Sequence, residues 1–408
     1  MSNLKRKLFR NLVEAVVLAL EEITTQGKYA DKVLEKILKS NPVWGSRDRG
    51  FIAETVYEVV RYQRLLEHLA IQCKGGEDTK VNDWVAVYLM QQGYEIPNWS
   101  LFENVQAFSS FKIQESLKGI NSPAILQAYP DWLYQRLERE LGTERWEKES
   151  AHLNIPADVY LRVNTLKITP KKLVALLEEE GIGTILVEPW ITLRLIRRQN
   201  VFKSKYFKLG YFEVQDRSSQ QVALTLDPKP GMRVIDACAG AGGKTLHLAA
   251  LMQNKGKIIA MDTEEWKLKK LMERAKRAGI SIIEPRVIDS AKAIKRLADS
   301  SDALLMDVPC SGLGVLRRNP DAKWKITPEA IERTRVIQQD ILQNYSSMLR
   351  KGGSLVYATC SILPSENEEQ VKEFIDKHSD YTLEKMNTIY PSDYNSDGFF
   401  ISLMKSKE

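Results

Sequence analysis

The first 128 residues place apolar side chains with the period of an α-helix. Leu12, Val16, Leu20 and Ile23 form one stripe, and the run RGFIAETVYEVVRYQRLLEHLA forms another. Residues three and four positions apart share one face of a helix, so these stripes predict amphipathic helices. Pro97 and Pro123 interrupt the series. Residues 1–128 are therefore predicted to form an all-helical domain.

Residues 129–205 mix the two periodicities. DWLYQRLERELG has helical spacing, whereas VYLRVNTL alternates apolar and polar positions like a strand. Pro170 opens the helical pattern KKLVALLEEEG, and ILVEPWITLRLI resumes strand character. This order predicts a small α/β module.

From residue 206 to residue 408, short apolar runs alternate with helical patterns. The runs are MRVIDAC, KIIAMD, PRVID, DALLMD and SLVYATC, and the end of the chain predicts a strand pair. Such runs are typical of a buried parallel sheet, whose ligands bind beyond the carboxyl ends of the strands. Five side chains fall at or just past those ends: Asp236, Asp262, Asp289, Asp307 and Cys360.

The stretch DACAGAGGKT, residues 236–245, follows the first of these strands and has three candidate ligands. A nucleoside triphosphate loop needs a glycine where this chain has Cys238, and Asp236 would repel the phosphates. A dinucleotide fingerprint needs its third glycine where Thr245 stands. S-adenosylmethionine is a cation instead, and carboxylates at the strand ends suit it.

The acidic strand ends extend the third interpretation. Asp262 is placed to bind the ribose hydroxyls, and Asp289 could reach the adenine amino group. A single aspartate at a strand end is often no more than a helix N-cap. Four of them in register favour a methyl-donor site.

Two cysteines follow neighbouring predicted strands, Cys310 in DVPCSG and Cys360 in ATCSILPSENE. Carbon 5 of cytosine becomes nucleophilic when a thiolate adds to carbon 6. A base must then remove the proton on carbon 5 so that the thiol can leave. Neighbouring strands lie about 4.8 Å apart, so both thiols could serve one base. Lys244 could come close and favour the thiolate.

These motifs resemble the Nop/Sun family of RNA (cytosine-5) methyltransferases, in particular its bacterial small-subunit ribosomal RNA branch. The similarity runs through YFEVQDRSSQ, DACAGAGGKT, DVPCSGLGVLRRNPDAKW and ATCSILPSENE. LRVN, residues 161–164, resembles the family's small RNA-recognition-like subdomain. RDRGFIAETVYEVVRY, residues 47–62, is similar to its NusB-like helical domain.

The resemblance implies three domains: a NusB-like helical domain (1–128), an RNA-recognition-like subdomain (129–205) and a Rossmann-like S-adenosylmethionine-dependent methyltransferase domain (206–408). It implies that Cys360 is the nucleophile and that Cys310 assists release. Asp307 would contact the cytosine, with Lys244 also in the catalytic set. The implied donor contacts are Cys238, Ala239, Gly240, Ala241, Gly242, Gly243, Lys244, Asp262, Asp289 and Asp307. The family usually has Ala-Pro where this chain has Gly240-Ala241.

Composition and charge add the expected partner and compartment. The net charge of +6 suits a polyanion, and Arg317, Arg318, Lys323, Trp324 and Lys325 offer charge beside an aromatic face for RNA. Four scattered cysteines without a CxxC argue against a disulfide framework or a structural zinc site and suggest reduced, cytoplasmic thiols. The basic, then apolar, start reads as an amphipathic helix, because Glu14 interrupts it. Neither a membrane span nor a stable protein partner is predicted.

Three alternatives stay open at this stage. The substrate could be transfer RNA, since only the helical domain favours ribosomal RNA. The chain could be a ribosome-assembly factor that binds RNA and is catalytically inert, although both cysteines are present. A methyltransferase acting on a protein or a small molecule would not need both thiols.

Overall fold

A computed structural model describes residues 7–105, 108–187 and 191–408. By its internal contacts the chain divides into two compact units. The first is Met1–Ile155 with Leu316–Ile326, and the second is Pro156–Val315 with Thr327–Glu408.

The elements are numbered in chain order. The helices are α1 (Arg10–Thr24), α2 (Ala30–Ser40), α3 (Ser46–Arg61), α4 (Gln63–Cys73), α5 (Val81–Gln91), α6 (Ser110–Lys118), α7 (Pro123–Leu126), α8 (Asp131–Leu141), α9 (Thr143–His152), α10 (Pro170–Glu179), α11 (Lys205–Lys208), α12 (Arg217–Leu226), α13 (Gly243–Leu251), α14 (Glu265–Ala278), α15 (Ala291–Lys295), α16 (Ala322–Lys325), α17 (Pro328–Tyr345), α18 (Glu368–Lys377) and α19 (Pro391–Tyr394). The strands are β1 (Tyr160–Val163), β2 (Thr184–Val187), β3 (Thr192–Leu195), β4 (Phe212–Val214), β5 (Arg233–Asp236), β6 (Lys257–Asp262), β7 (Ile283–Val287), β8 (Ser301–Asp307), β9 (Leu349–Thr359), β10 (Tyr381–Ile389) and β11 (Phe399–Ser406).

The first unit is helical wherever the structure describes it, as the apolar stripes predict. Leu12, Val16, Leu20 and Ile23 all lie buried in one core. Helices α8 and α9 belong to this unit, although the sequence grouped them with the small α/β module. The ring of Trp146 packs against those of Tyr129 and Tyr134, at centroid distances of 5.1 and 5.5 Å. Because this aromatic cluster ties α8 and α9 together with Tyr129, the helical unit extends to Ile155 instead of ending at residue 128.

The segment 316–326 lies within the predicted methyltransferase domain but packs in the helical unit. Arg61 of α3 is 3% exposed and donates hydrogen bonds to the carbonyls of Leu316 and Arg317. The indole of Trp324 donates to the Val60 carbonyl at 2.7 Å. The segment is therefore fixed to α3 by hydrogen bonds that use backbone carbonyls of both the segment and the helix.

The same packing corrects the prediction that Arg317 and Lys323 of this segment meet RNA. Arg317 and Lys323 are 2% and 1% exposed. Arg317 donates to the carbonyl of Ile155 at 3.0 Å, and the Lys323 ammonium lies 4.4 Å from the centre of the Tyr129 ring. Burial lowers the pKa of Lys323 well below its ordinary value. These cations are structural because the helical unit covers them, a context that the local sequence does not reveal.

Among the described residues, the small module in the second unit is a four-stranded antiparallel sheet in the order β2-β3-β1-β4, with α10 packed on it. The predicted strand ILVEPWITLRLI is the pair β2 and β3, and residues 188–190 between them lie outside the described residues. Asn164 of LRVN donates to the carbonyls of Gly210 and Ala278 at 2.8 and 2.9 Å. That side chain joins the module to α14.

The large sheet has seven strands among the described residues, in the order β10-β11-β9-β8-β5-β6-β7. Strands β7, β6, β5, β8 and β9 are parallel; β11 pairs antiparallel with β9, and β10 pairs antiparallel with β11. Chain order reverses on either side of β5, so the ligand site is expected at the ends of β5 and β8. This is the Rossmann-like fold that the sequence predicts, and the NusB-like character of the helical unit stays a prediction.

No helix in the described ranges is both long and apolar enough to cross a membrane.

The buried segment yields a stability prediction. Replacing Arg317 with Ala should lower the free energy of unfolding by about 1–3 kcal/mol, because a buried hydrogen bond and its packing are lost. Arg198 is exposed, so Arg198→Ala should change it by less than about 0.5 kcal/mol. Urea unfolding of both variants makes the comparison, and equal midpoints would contradict the structural role.

Candidate active site

The glycine loop runs from the end of β5 to the start of α13. Gly240 and Gly242 adopt φ values of +53° and +86°, in the left-handed region that favours glycine. A Cβ on Gly242 would lie 2.5 Å from Cγ of Leu271, so this position has no room for a side chain. The loop is therefore a compact turn with its backbone open to a ligand, and proline is not needed to form it.

Two arginine side chains donate hydrogen bonds to backbone carbonyls of the glycine loop. Arg162 of LRVN donates to the Gly243 carbonyl at 2.5 Å and also bonds the side chain of Gln215. Arg274 of α14 donates to the Ala241 carbonyl at 2.6 Å. Burial lowers the pKa of Arg162 to about 9. The small module thus contributes directly to the rigidity of the loop.

Asp236 ends β5 beneath the loop and is 1% exposed. It accepts a hydrogen bond from the Thr245 hydroxyl at 2.7 Å, whereas its Oδ1 has no partner among the described residues. Burial raises the pKa of Asp236 to about 7. The side chain supports the loop and leaves one buried oxygen unsatisfied.

Asp262 ends β6 and connects the loop to the next strand end. Its Oδ2 accepts the N–H of Gly240 at 3.0 Å, and its Oδ1 accepts the N–H of Glu264 at 2.9 Å. Asp262, Glu264 and Asp307 line one cavity of about 460 Å³ with Cys238, Gly240 and residues of α17. Lys267 also lines this cavity and pairs with Glu264 at 3.0 Å. With Asp340, four carboxylates face this one ammonium, so the charge of the cavity still suits a cationic ligand.

A smaller cavity, about 220 Å³, lies on the other side of the loop and shares Cys238, Gly240 and Asp307 with the first. Lys244 lines it, and its ammonium pairs with Asp307 at 2.6 Å. The ammonium also lies 4.9 Å from the centre of the Phe399 ring. Lys244 is therefore paired with a carboxylate, whereas the sequence placed it near the thiols.

The two cysteines come together as the sequence predicts. Strands β8 and β9 pair in parallel with Asp307 opposite Ala358, and the Sγ atoms of Cys310 and Cys360 lie 3.3 Å apart. The hydrogen bond to Cys360, together with burial, raises the pKa of Cys310 well above its ordinary value. Cys310 therefore keeps its proton at neutral pH and can donate it toward Cys360.

Asp289 is a predicted donor contact that lies outside both cavities. Strand β7 ends at Val287, two residues earlier, and the Asp289 side chain is exposed. It is not among the residues that line either cavity, which Ile288 lines instead. An aspartate just past a strand end matches the pattern without pointing inward.

Several lining residues escaped the sequence analysis. Gln215 and Ser219 line the smaller cavity and belong to the motif YFEVQDRSSQ. Ile337, Ile341 and Tyr345 of α17 line the larger cavity. Their spacing of four residues is the signal of one helix face and could have identified them.

Comparison with known proteins assigns the chain to a family. The model of the 16S rRNA methyltransferase RsmB/F family matches residues 223–405, and a related ferredoxin-like domain model matches residues 129–199. A probable ribosomal RNA small subunit methyltransferase B of Synechocystis sp. is 31% identical over 95% of this chain and 98% of its own. The chain belongs to the RsmB/F methyltransferase family.

Further relatives agree with this assignment. A probable ribosomal RNA small subunit methyltransferase B of Bacillus subtilis is 30% identical and covers 99% of this chain and 100% of its own. The crystal structure of PH0851 has a TM-score of 0.81 at 25% identity, covering 98% of this chain and all of that one. NSun6 from Pyrococcus horikoshii, solved with SFG, has a TM-score of 0.64 at 26% identity and covers 69% of this chain and 100% of its own.

Membership confirms the predicted RNA methyltransferase class and its donor, S-adenosylmethionine. The larger cavity fits this donor, because its carboxylates outnumber its one ammonium and suit the donor's positive charge. Asp262 and the backbone of the glycine loop line these cavities and could hold the donor.

The crowding at Gly242 yields a prediction for donor binding. Gly242→Ala should weaken S-adenosylmethionine binding roughly tenfold or more, because the new Cβ displaces Leu271 and the loop. Gly231→Ala is the control, since Gly231 has a similar φ of +94° but open space around it. Calorimetry should find near-normal donor affinity for Gly231→Ala, and equal losses in both variants would refute the argument from crowding.

The buried carboxyl of Asp236 predicts a pH dependence of stability. Its pKa of about 7 in the folded chain exceeds the unfolded value, so the folded state binds the extra proton. The free energy of unfolding should therefore fall by up to about 4 kcal/mol as pH rises from 4 to 7, at 1.36 kcal/mol per pKa unit. Asp236→Asn should remove this slope in urea titrations, and an unchanged slope would contradict the assignment.

Proposed function

We propose that this protein transfers a methyl group from S-adenosylmethionine to carbon 5 of a cytosine in RNA. The observation that carries the proposal is the 3.3 Å separation of the Cys310 and Cys360 sulfur atoms beside Asp307. A methyltransferase that acts on an already nucleophilic atom has no use for two thiols. Carbon 5 of cytosine is not nucleophilic, and addition of a thiolate to carbon 6 makes it so.

Cys360 is proposed as the nucleophile. Its thiolate forms a bond to carbon 6, and the electrons of the 5,6 double bond become available at carbon 5. S-adenosylmethionine supplies a methyl group on a positively charged sulfur. The carboxylate of Asp307 lines both cavities and is placed between the donor loop and the cysteine turn. It can therefore contact the cytosine ring while the ring lies beside the donor.

Cys310 is proposed to assist release. After methyl transfer the proton on carbon 5 passes to a base, and its electron pair restores the 5,6 double bond. The bond between carbon 6 and sulfur breaks, and the departing Cys360 sulfur takes a proton from the adjacent Cys310 thiol. The 3.3 Å contact between the two sulfur atoms supports this role, because it places the Cys310 thiol beside the departing sulfur.

Small-subunit ribosomal RNA is the proposed substrate, because relatives that align with nearly the whole chain are named for it. The target base must leave its stack to reach the thiols, so we infer a single-stranded or loop cytosine. The exposed face of the small α/β module and the helical unit are proposed to bind the flanking RNA. Asp289 is proposed as a donor contact only if the loop after β7 moves inward.

The roles of the two thiols predict opposite phenotypes. Cys360→Ala should form no bond to RNA and abolish methylation. Cys310→Ala should still add and methylate but release slowly, so a covalent protein–RNA complex should accumulate and survive denaturing gel electrophoresis. The double variant should lose that complex.

Two outcomes would contradict the assignment. If Cys360→Ala is the variant that traps RNA, the roles are reversed. If both variants keep full activity, the two-thiol mechanism does not apply to this protein.

A further inference from the structure

The turn that carries Cys310 is held on both sides by buried side chains. The Glu366 carboxylate accepts the Ser311 N–H at 2.7 Å and also binds the Ser311 hydroxyl. The side-chain amide of Gln338 donates to the Pro309 carbonyl at 3.0 Å and to Glu366 at 3.3 Å. The peptide groups before and after Cys310 are therefore both fixed.

The turn that carries Cys360 is held by Asn367, the residue that follows Glu366 in the chain. Its side-chain amide donates to the Ser361 carbonyl at 3.1 Å, and its oxygen accepts the Thr359 hydroxyl at 2.5 Å. The same hydroxyl oxygen accepts the Ser361 N–H at 3.2 Å. Thr359 and Ser361 flank Cys360, so Asn367 fixes this turn as Glu366 fixes the other.

The burial of these groups argues for a role beyond filling space. Glu366, Asn367 and Gln338 are all 0% exposed. In the part of the chain that the structure describes, no Lys, Arg or His side chain forms an ion pair with Glu366. A buried carboxylate without a cation is costly, and an apolar residue would serve a purely structural core better. The hydrogen bonds to Ser311 and Gln338 offset that cost.

We propose that Glu366 and Asn367 are positioning residues with separate tasks. Glu366 acts through the turn of Cys310 and so controls release, whereas Asn367 acts through the turn of Cys360 and so controls addition. The hydroxyls of Ser311 and Ser361 lie 3.2 Å apart and keep the two turns in register. This inference rests on the proposed function.

The test compares covalent trapping in variants of the full chain. Glu366→Ala should resemble Cys310→Ala: it should raise the covalent RNA complex several-fold and lower kcat roughly tenfold, with KM for RNA nearly unchanged. Asn367→Ala, placed in the Cys310→Ala background, should reduce the trapped complex several-fold. Glu366→Gln should restore release, because its carbonyl oxygen can still accept the Ser311 N–H.

The controls separate positioning from folding. Glu384 and Asn387 are exposed, so their alanine variants should behave as the unmodified protein. Affinity for S-adenosylmethionine, measured by calorimetry, should stay within about twofold in every variant if only the cysteine turns are affected. If Glu366→Ala loses donor binding, Gln338→Leu replaces that variant in the test. Gln338→Leu removes the hydrogen bond to Pro309 at similar side-chain volume, and it should also trap RNA.

Two results would overturn the inference alone. The first is trapping by Cys310→Ala but by neither Glu366→Ala nor Gln338→Leu. The second is an equal effect of Glu366→Ala and Asn367→Ala on trapping. A failure of Cys310→Ala itself to trap RNA would instead overturn the proposed function on which the inference rests.

Discussion

The parallel pairing of β8 with β9 is the constraint on which the site depends. It sets Asp307 opposite Ala358, so the loops that follow these strands start side by side. Cys310 and Cys360 then meet at 3.3 Å although 50 residues separate them in the chain. Strand β5 pairs with the other side of β8, which brings the glycine loop to the same edge. The glycine loop, the Asp307 carboxylate and the two thiols therefore share one end of one sheet.

The loops beyond that edge keep their positions through polar contacts that reach them from other elements. Arg162 and Arg274 bind carbonyls of the glycine loop, and Glu366 and Asn367 bind the two cysteine turns. A buried polar group is costly unless it is satisfied, so each contact gives the loop one preferred geometry. A reaction between groups at a fixed distance requires loops that keep one geometry.

The sequence predicts the five parallel strands well because each is a short, largely apolar run with a carboxylate or a thiol at its end or within two residues after it. It also predicts the thiol pair, since strand order follows from the fold class. It is wrong about Arg317 and Lys323, because a basic stretch looks the same whether water or another helix covers it. Asp289 shows that a position just after a strand does not determine where the side chain points. Arg162 and Glu366 act on residues distant in sequence, which a linear pattern does not reveal.

The central claim is that methylation occurs at carbon 5, and loss of the proton from that atom tests it most directly. Small-subunit ribosomal RNA carrying tritium at carbon 5 of its cytosines should be incubated with the protein and S-adenosylmethionine labelled with carbon-14 in its methyl group. The account predicts one tritium released to water for each methyl group incorporated. Methyl incorporation without tritium release would place the methyl group on another atom and contradict the mechanism.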